Sequence, residues 1–264
     1  MTDQLAPSTS AHQRLECEGV SHGFDENRVL DAVTVGVDPG EILAIIGPSG
    51  TGKSTLLRIM AMYHAPESGT VRVADRDVWS LTEQERLSIR RRVGMVFQEA
   101  NLFDASVRQN VNYGPRIRKQ WRERFREMLP LTTNGSATVT EQLELVDMGG
   151  TEQRHVSSLS GGEAQRIAFA RAMAYEPDFL LLDEPTSDLD PRNTAVIEDA
   201  VKAARDADIA IAFATHDMHQ AERLADRVAV MIDGKLIEVG PTERVFTNPD
   251  DGRTQKFIDG ELVY

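Results

Sequence analysis

The stretch Gly47-Pro48-Ser49-Gly50-Thr51-Gly52-Lys53-Ser54-Thr55 constrains this chain most, because of what stands on either side of it. The apolar run Ile42-Leu43-Ala44-Ile45-Ile46 precedes it, and the helix-like Leu56-Leu57-Arg58-Ile59-Met60 follows. Strand, glycine loop and helix in that order describe a phosphate loop within an α/β core. Glycines let successive backbone N–H groups turn inward on a polyphosphate, and the helix N-terminus adds partial positive charge. Lys53 is expected to reach the β- and γ-phosphates. Ser54 is expected to put its hydroxyl on Mg²⁺, a hard cation that takes few protein ligands when phosphate oxygens complete its shell.

A second segment fits the same chemistry. Phe179-Leu180-Leu181-Leu182-Asp183-Glu184-Pro185 is an unbroken apolar run ending in two carboxylates, the pattern of a strand buried on both faces that delivers side chains at its C-terminal edge. Asp183 is expected to help hold Mg²⁺, and Glu184 to orient or deprotonate a water that attacks the γ-phosphate. Two adjacent carboxylates alone say little; set against a separate phosphate loop they say much.

At 264 residues the chain can bury a substantial core, as one large α/β domain with a small insertion or as two ordinary domains. Residues Met1 to His12 are polar and lack a basic start and an apolar centre, so they read as a frayed tail rather than a secretory signal. The apolar runs Ile209 to Ala214 and Val228 to Ile232 are far shorter than the roughly 20 residues of a membrane-spanning helix. The lone Cys17 has no partner for an internal disulfide and reads as a buried strand residue.

Charge is abundant and uneven. There are 42 acidic and 29 basic residues, net -13, and the basic set is 24 Arg with only 5 Lys, a bias similar to that of proteins from salt-loving organisms. Between Arg86 and Arg126, however, 11 basic residues meet 3 acidic ones. Within that region Ile117, Trp121 and Phe125 stand four apart on a basic helical stretch, Arg116 to Arg126. Such a stripe is either a solvated helix packed through its apolar side or a contact for a membrane-embedded partner, anionic lipid or nucleic acid.

Between the loop and the carboxylates lies Leu159-Ser160-Gly161-Gly162-Glu163-Ala164-Gln165-Arg166, opening an alanine-rich helix whose N-terminus is a second anion site. Here the chain resembles the ATP-binding-cassette family, whose signature is Leu-Ser-Gly-Gly followed by Gln or Glu. The resemblance spans nearly the whole chain. Gln98, after Val93-Gly94-Met95-Val96-Phe97, falls on the family's lid glutamine, where it would also serve the metal. Asp188-Leu189-Asp190 falls on the dimer-contact loop, His216 on the switch histidine, and Phe24 on the aromatic that stacks on adenine. The departures are Phe24 for tyrosine, Glu163 for glutamine and Asp188 for alanine.

The resemblance implies a RecA-like α/β phosphate-loop ATPase core with an N-terminal antiparallel β subdomain and an inserted helical subdomain. The expected division is one domain over 1–264, with core and β parts at 14–97 and 178–240, a helical part at 98–177 and a tail at 241–264. Thr132-Thr133-Asn134-Gly135-Ser136 reads as a loop inside the insert, and Asp233-Gly234 as a hairpin turn. The resemblance also implies two subunits head to tail, with ATP on Gly47 to Thr55 of one covered by Ser160, Gly161 and Gly162 of the other. A lone cassette without a membrane segment is similar to the energising subunit of an importer, on the cytoplasmic face of the membrane. Integral-membrane permease subunits are the implied partners, and an extracytoplasmic substrate-binding protein an indirect one. Nucleic acid is not implied, since the chain has neither the second cassette of translation ATPases nor the long coiled coil of DNA-repair relatives. The cargo expected is an oxyanion such as phosphate or tungstate. Polar amino acids come second, and an efflux or lipid-extraction ATPase is a further rival.

Overall fold

The computed structural model describes residues 14–25, 27–118 and 134–261. The N-terminal tail therefore lies outside the described residues, as do Trp121 and Phe125 of the expected basic stripe.

Strands β1 (Leu15–Phe24) and β2 (Asn27–Val37) form an antiparallel pair that continues through β4 (Ser68–Val73) to β5 (Arg76–Asp77), in the order β2-β1-β4-β5. The second sheet contains β3 (Ile42–Ile46), β6 (Val93–Val96), β7 (Phe179–Asp183), β8 (Ala210–Thr215), β9 (Arg227–Ile232) and β10 (Lys235–Pro241). Its order is β10-β9-β3-β8-β7-β6, parallel except for the β9–β10 hairpin. That hairpin turns at Asp233 and Gly234, both with positive φ (48° and 75°), as a two-residue connection matched to strand twist requires.

Every residue of β3, β6, β7 and β8 is buried, which is why these strands read as continuous apolar runs: each face of a parallel sheet is covered. Side chains alternate between two cores. Ile42, Ala44 and Ile46 join Leu182, Phe213 and the helix residues Ile167 and Phe169 on one face. Leu43 and Ile45 join Leu56, Leu57 and the antiparallel-sheet residues Val20 and Val33 on the other. Each such Leu, Ile or Phe contributes roughly 1.5–3 kcal/mol when fully buried, so the two-sided sheet is the main source of stability.

The helix Lys53–Met60 lies on the face shared with the antiparallel sheet. Helices Val107–Val111, Gly161–Met173, Pro191–Asp206 and Met218–Leu224 contribute to the other core. Asn134-Gly135-Ser136, expected as loop, form the first turn of the helix Asn134–Leu145, while Thr132 and Thr133 of the same expectation lie outside the described residues. Asn, Gly and Ser favour turns and helix starts for the same reason, and the pattern alone does not separate the two. Cys17 is fully buried in β1, and burial, with a smaller push from Glu16, raises its thiol to about 12. Among the described residues no helix is long and apolar enough to cross a membrane.

Candidate nucleotide site

Parallel pairing aligns Ile46 with Thr215 and Asp183 with Ala214. The C-terminal ends of β3, β7 and β8 therefore lie along one edge, and three distant segments meet there: the glycine loop, Asp183-Glu184 and His216. Ligands of open α/β sheets gather at such edges.

Glycine is required in the loop for two separate reasons. A Cβ on Gly47 would sit 2.1 Å from the Met231 carbonyl oxygen. Gly52, at the N-cap of Lys53–Met60 with φ 101°, would bring a Cβ to 2.8 Å from the Val29 carbonyl oxygen. Because Gly52 supplies no side-chain cap, the first-turn N–H groups of this helix are left for an anion. Lys53 is 5% exposed and folds over the loop, its Nζ donating to the carbonyls of Gly47 (2.7 Å) and Pro48 (2.8 Å). Burial lowers its amine below the usual lysine range, against the opposing pull of Glu184 and Asp183. Thr51 Oγ1 closes the turn on the Pro48 carbonyl at 2.9 Å.

Ser54 Oγ donates to Asp183 Oδ1 at 2.7 Å, and Arg58 Nη2 stands 3.9 Å from Asp183 Oδ2. Burial raises the Asp183 carboxyl although the Ser54 hydroxyl and Arg58 act the other way. A hydroxyl and a carboxylate in contact at the foot of the phosphate loop form the hard-oxygen donor set that Mg²⁺ takes. Glu184 follows with φ 47°, a left-handed conformation that costs a non-glycine residue about 1–2 kcal/mol. Its N–H donates to the Ala214 carbonyl at 3.0 Å, and Oε2 lies 2.9 Å from His216 Nδ1. The carboxylate is 19% exposed and the imidazole 58%, so the pair opens toward solvent through the histidine. Ser49, Gly50, Gly52, Lys53, Ser54, Thr55, Gln98 and Glu184, with Val29, line a cleft of about 370 Å³.

Not every expected residue arrives there. Phe24 is exposed and sets its ring edge-on to His22 (5.0 Å between centroids) and His64 (5.9 Å), and it does not line the cleft. Ser160, Gly161 and Gly162 do not line it either. Ser160 caps the helix Gly161–Met173, and Gly161 lines an adjoining cleft of about 280 Å³ that also contains Gln98, Glu184, Asp188 and Leu189. Asp190 caps the helix Pro191–Asp206, accepting from the N–H groups of Arg192 and Asn193 at 3.0 Å.

Several contributors escaped sequence reading. Gln165, 3% exposed, donates to the Phe97 carbonyl at 2.8 Å and ties the signature helix to the residue before Gln98. A glutamine on the buried face of an alanine-rich helix was the available signal. Gln220, 2% exposed, donates to Thr186 Oγ1 (2.7 Å) and Glu198 Oε1 (3.4 Å), and Arg223 pairs with Glu198 at 2.6 Å. This network links the helix after His216 to the loop after Glu184, and no spacing rule in the sequence announces it.

A family model described as ABC transporter matches residues 30–187. The chain is 60% identical over 256 residues to a phosphate import ATP-binding protein of Natronomonas pharaonis, covering 97% of this chain and 90% of that one. It is 54% identical over 254 residues to a probable anion import ATP-binding protein of Haloferax volcanii, covering 95% and 88%. It is 39% identical over 238 residues to a methionine import ATP-binding protein of Bacillus thuringiensis, covering 89% and 67%. Among solved structures, a dimeric bacterial ABC transporter cassette superposes with a TM-score of 0.76 at 27% identity, over 86% of this chain and 98% of that one. A post-hydrolysis dimer of such a cassette with ADP and Pi gives 0.76 at 26%, over 86% and 98%. Sequence, fold and the loop–carboxylate–histidine edge agree: the chain belongs to the ABC transporter family, as an ATP-hydrolysing cassette.

Proposed function

We propose that this cassette is the ATPase subunit of an importer for an inorganic oxyanion, with phosphate the first candidate. The observation that carries the reading is full-length similarity to a phosphate importer subunit and a probable anion importer subunit, well above that to methionine importers. In the cleft, Gly47 to Thr55 receive the triphosphate, with Lys53 on the β- and γ-phosphates. Ser54, Asp183 and Gln98 would hold Mg²⁺, which neutralises phosphate charge when bound. Glu184 orients and deprotonates the attacking water, and His216, bonded to it at 2.9 Å, fixes the carboxylate and reaches toward the γ-phosphate. Phe24, already exposed, stacks on adenine after turning from His22 and His64.

Ser160 is exposed and does not line the cleft of the loop, and, in keeping with the resemblance to ABC cassettes, a second copy completes the site head to tail. Residues 98–177 act as the helical subdomain that carries this signature. A further cleft of about 490 Å³, lined by Tyr63, Phe97, Phe103 and Tyr113 with Arg90, Arg91 and Arg171, suits a short helix of a permease at the cytoplasmic membrane face. The substrate-binding protein then acts indirectly, from the far side.

Reconstitution with the cognate permease and binding protein in vesicles tests the reading. Hydrolysis stimulated severalfold by phosphate, and not by methionine, supports it. Stimulation by tungstate alone moves the cargo within the oxyanions, and stimulation by methionine alone rejects the oxyanion assignment.

A further inference from the structure

The first turn of the helix Gly161–Met173 holds a carboxylate at the end where an anion is to be received. Glu163 Oε2 accepts from the Ser160 N–H at 2.8 Å, and the Glu163 N–H donates to Ser160 Oγ at 3.2 Å. This reciprocal box steadies the helix start. It also lays a negative charge beside the N–H groups meant for a triphosphate. Arg154 meets that charge in a forked contact, Nη1 to Oε1 at 2.7 Å and Nη2 to Oε2 at 3.3 Å, while Nη2 also donates to the Ser158 carbonyl at 2.9 Å. The guanidinium arrives from a braced turn: the Arg154 N–H donates to the Thr151 carbonyl and its own carbonyl accepts from Val107 N–H, each at 2.9 Å. Arg154, then the Ser160 N–H, hold the Glu163 carboxyl down to about 2, so the carboxylate is charged at any working pH.

We propose that Arg154 is a positioning residue for ATP capture: it cancels the charge of Glu163 so that Ser160, Gly161 and Gly162 can receive the phosphates bound by a second copy of the chain. The inference rests on the reading of Ser160 to Gly162 as the cover of the partner's nucleotide. Ser160 Oγ accepts from the Glu163 N–H, and its hydroxyl also bears on the Glu163 carboxylate, so donation to a phosphate oxygen needs the hydroxyl to turn away from that carboxylate. Without Arg154 the box can persist, but the helix end presents an uncompensated carboxylate to a polyanion.

The test uses the full chain in a Glu184→Gln background, with ATP-dependent dimerisation followed by sedimentation at fixed salt. Arg154→Met is expected to raise the half-maximal ATP concentration about tenfold. In chains that retain Glu184 it raises KM for ATP by a similar factor while kcat changes less than about threefold. Adding Glu163→Gln to Arg154→Met removes the charge being compensated and returns the half-maximal concentration to within about twofold of the parent. A purely structural arginine predicts no such rescue, so a double variant as impaired as the single, or an unimpaired single, overturns the proposal. Should Arg154→Met fail to fold, Glu163→Gln alone decides: it leaves the Arg154 guanidinium uncompensated beside the helix end, so half-maximal ATP falls, and the absence of a fall overturns the proposal. Gly161→Asp separates the two levels of inference. A Cβ there meets nothing within 4 Å in the chain, yet the carboxylate faces the partner's phosphates. Undiminished dimerisation of Gly161→Asp overturns the underlying reading; its loss beside a normal Arg154→Met overturns only the role of Arg154.

Discussion

Replacing Lys53 by Met asks whether the loop grips a triphosphate or is only a tight turn. In the chain as it stands, the ammonium donates to two carbonyls of its own loop, at 2.7 and 2.8 Å. Met has nearly the same length and no charge, so the variant loses those two bonds but also the cost of burying an ammonium, a cost visible in the lowered lysine pKa. These terms oppose each other and leave the ligand-free stability within about 1–2 kcal/mol of the parent. Nucleotide binding has no such offset: an ammonium lost from phosphate oxygens costs about 3 kcal/mol, roughly 10² in affinity. Linkage converts this into heat stability. ATP at about one hundred times Kd stabilises the parent by about 2.7 kcal/mol, whereas after a hundredfold loss of affinity the same concentration gives only about 0.4 kcal/mol. In a chain of this size 1 kcal/mol moves Tm by about 2–4 °C. The ATP-induced rise in Tm should therefore shrink from about 5–11 °C to about 1–2 °C, read by scanning fluorimetry with and without Mg·ATP. A variant that keeps the parent's ATP shift would refute the placement of Lys53 on the phosphates, and with it the physical reading of the loop.

Glu184→Gln keeps the neutral shape of the cleft while removing the base, so ATP binding and dimerisation persist and steady-state hydrolysis drops by about 10² or more; near-normal turnover in a phosphate-release assay would reject the assignment. Gly47→Ala drives a methyl group into the Met231 carbonyl, so urea unfolding should show a loss of about 1–3 kcal/mol together with lost ATP binding. Cys17, fully buried and with its thiol raised to about 12, should resist a maleimide at pH 8 in the native chain and react once the chain is unfolded. The Glu163 carboxyl is depressed from 4.5 to about 2 in the folded chain. Its stabilising contribution is therefore complete above pH 4.5 and disappears as pH falls toward 2, and the stability difference between the parent and Glu163→Gln should close over that window.

The buried strands were legible because a parallel sheet covered on both sides leaves an unbroken apolar run, and β3, β7 and β8 each show one. Their lateral order was not. Whether β3 lies beside β8 and β9, as it does, is decided by packing between residues nearly two hundred positions apart, and no local pattern encodes it. The loop and the two carboxylates stood out because phosphate and metal chemistry calls for particular side chains at set spacing, whereas His216 was reached only through the resemblance to the cassette family. Gln165, Gln220 and Arg154 did not stand out, since each acts through a neighbour that only the fold supplies. Asn134 to Ser136 failed for a different reason, the ambiguity of residues that start helices as readily as they end strands.

The two helix N-termini treat their orphan donors in opposite ways, and this bears on the proposed head-to-tail pairing of two copies. At Gly52 no side chain caps the helix, and the cleft that its loop lines lies within the same chain. At Ser160 the helix end is exposed, and a box of Ser160 and Glu163 satisfies donors that would otherwise face water. An end capped in this way is stable in a free subunit, but its cap brings the negative charge that a polyphosphate must approach. Closure of a dimer around ATP then depends on how completely Arg154 cancels that charge at 2.7 Å, a contact short enough to survive the screening of high salt. Salt that weakens long-range attraction between two acidic chains would thus leave this local compensation in place. It would also reduce the repulsion between subunits that each carry a net charge of -13. For a cassette of this composition, ATP-driven closure should therefore strengthen, not weaken, as ionic strength rises.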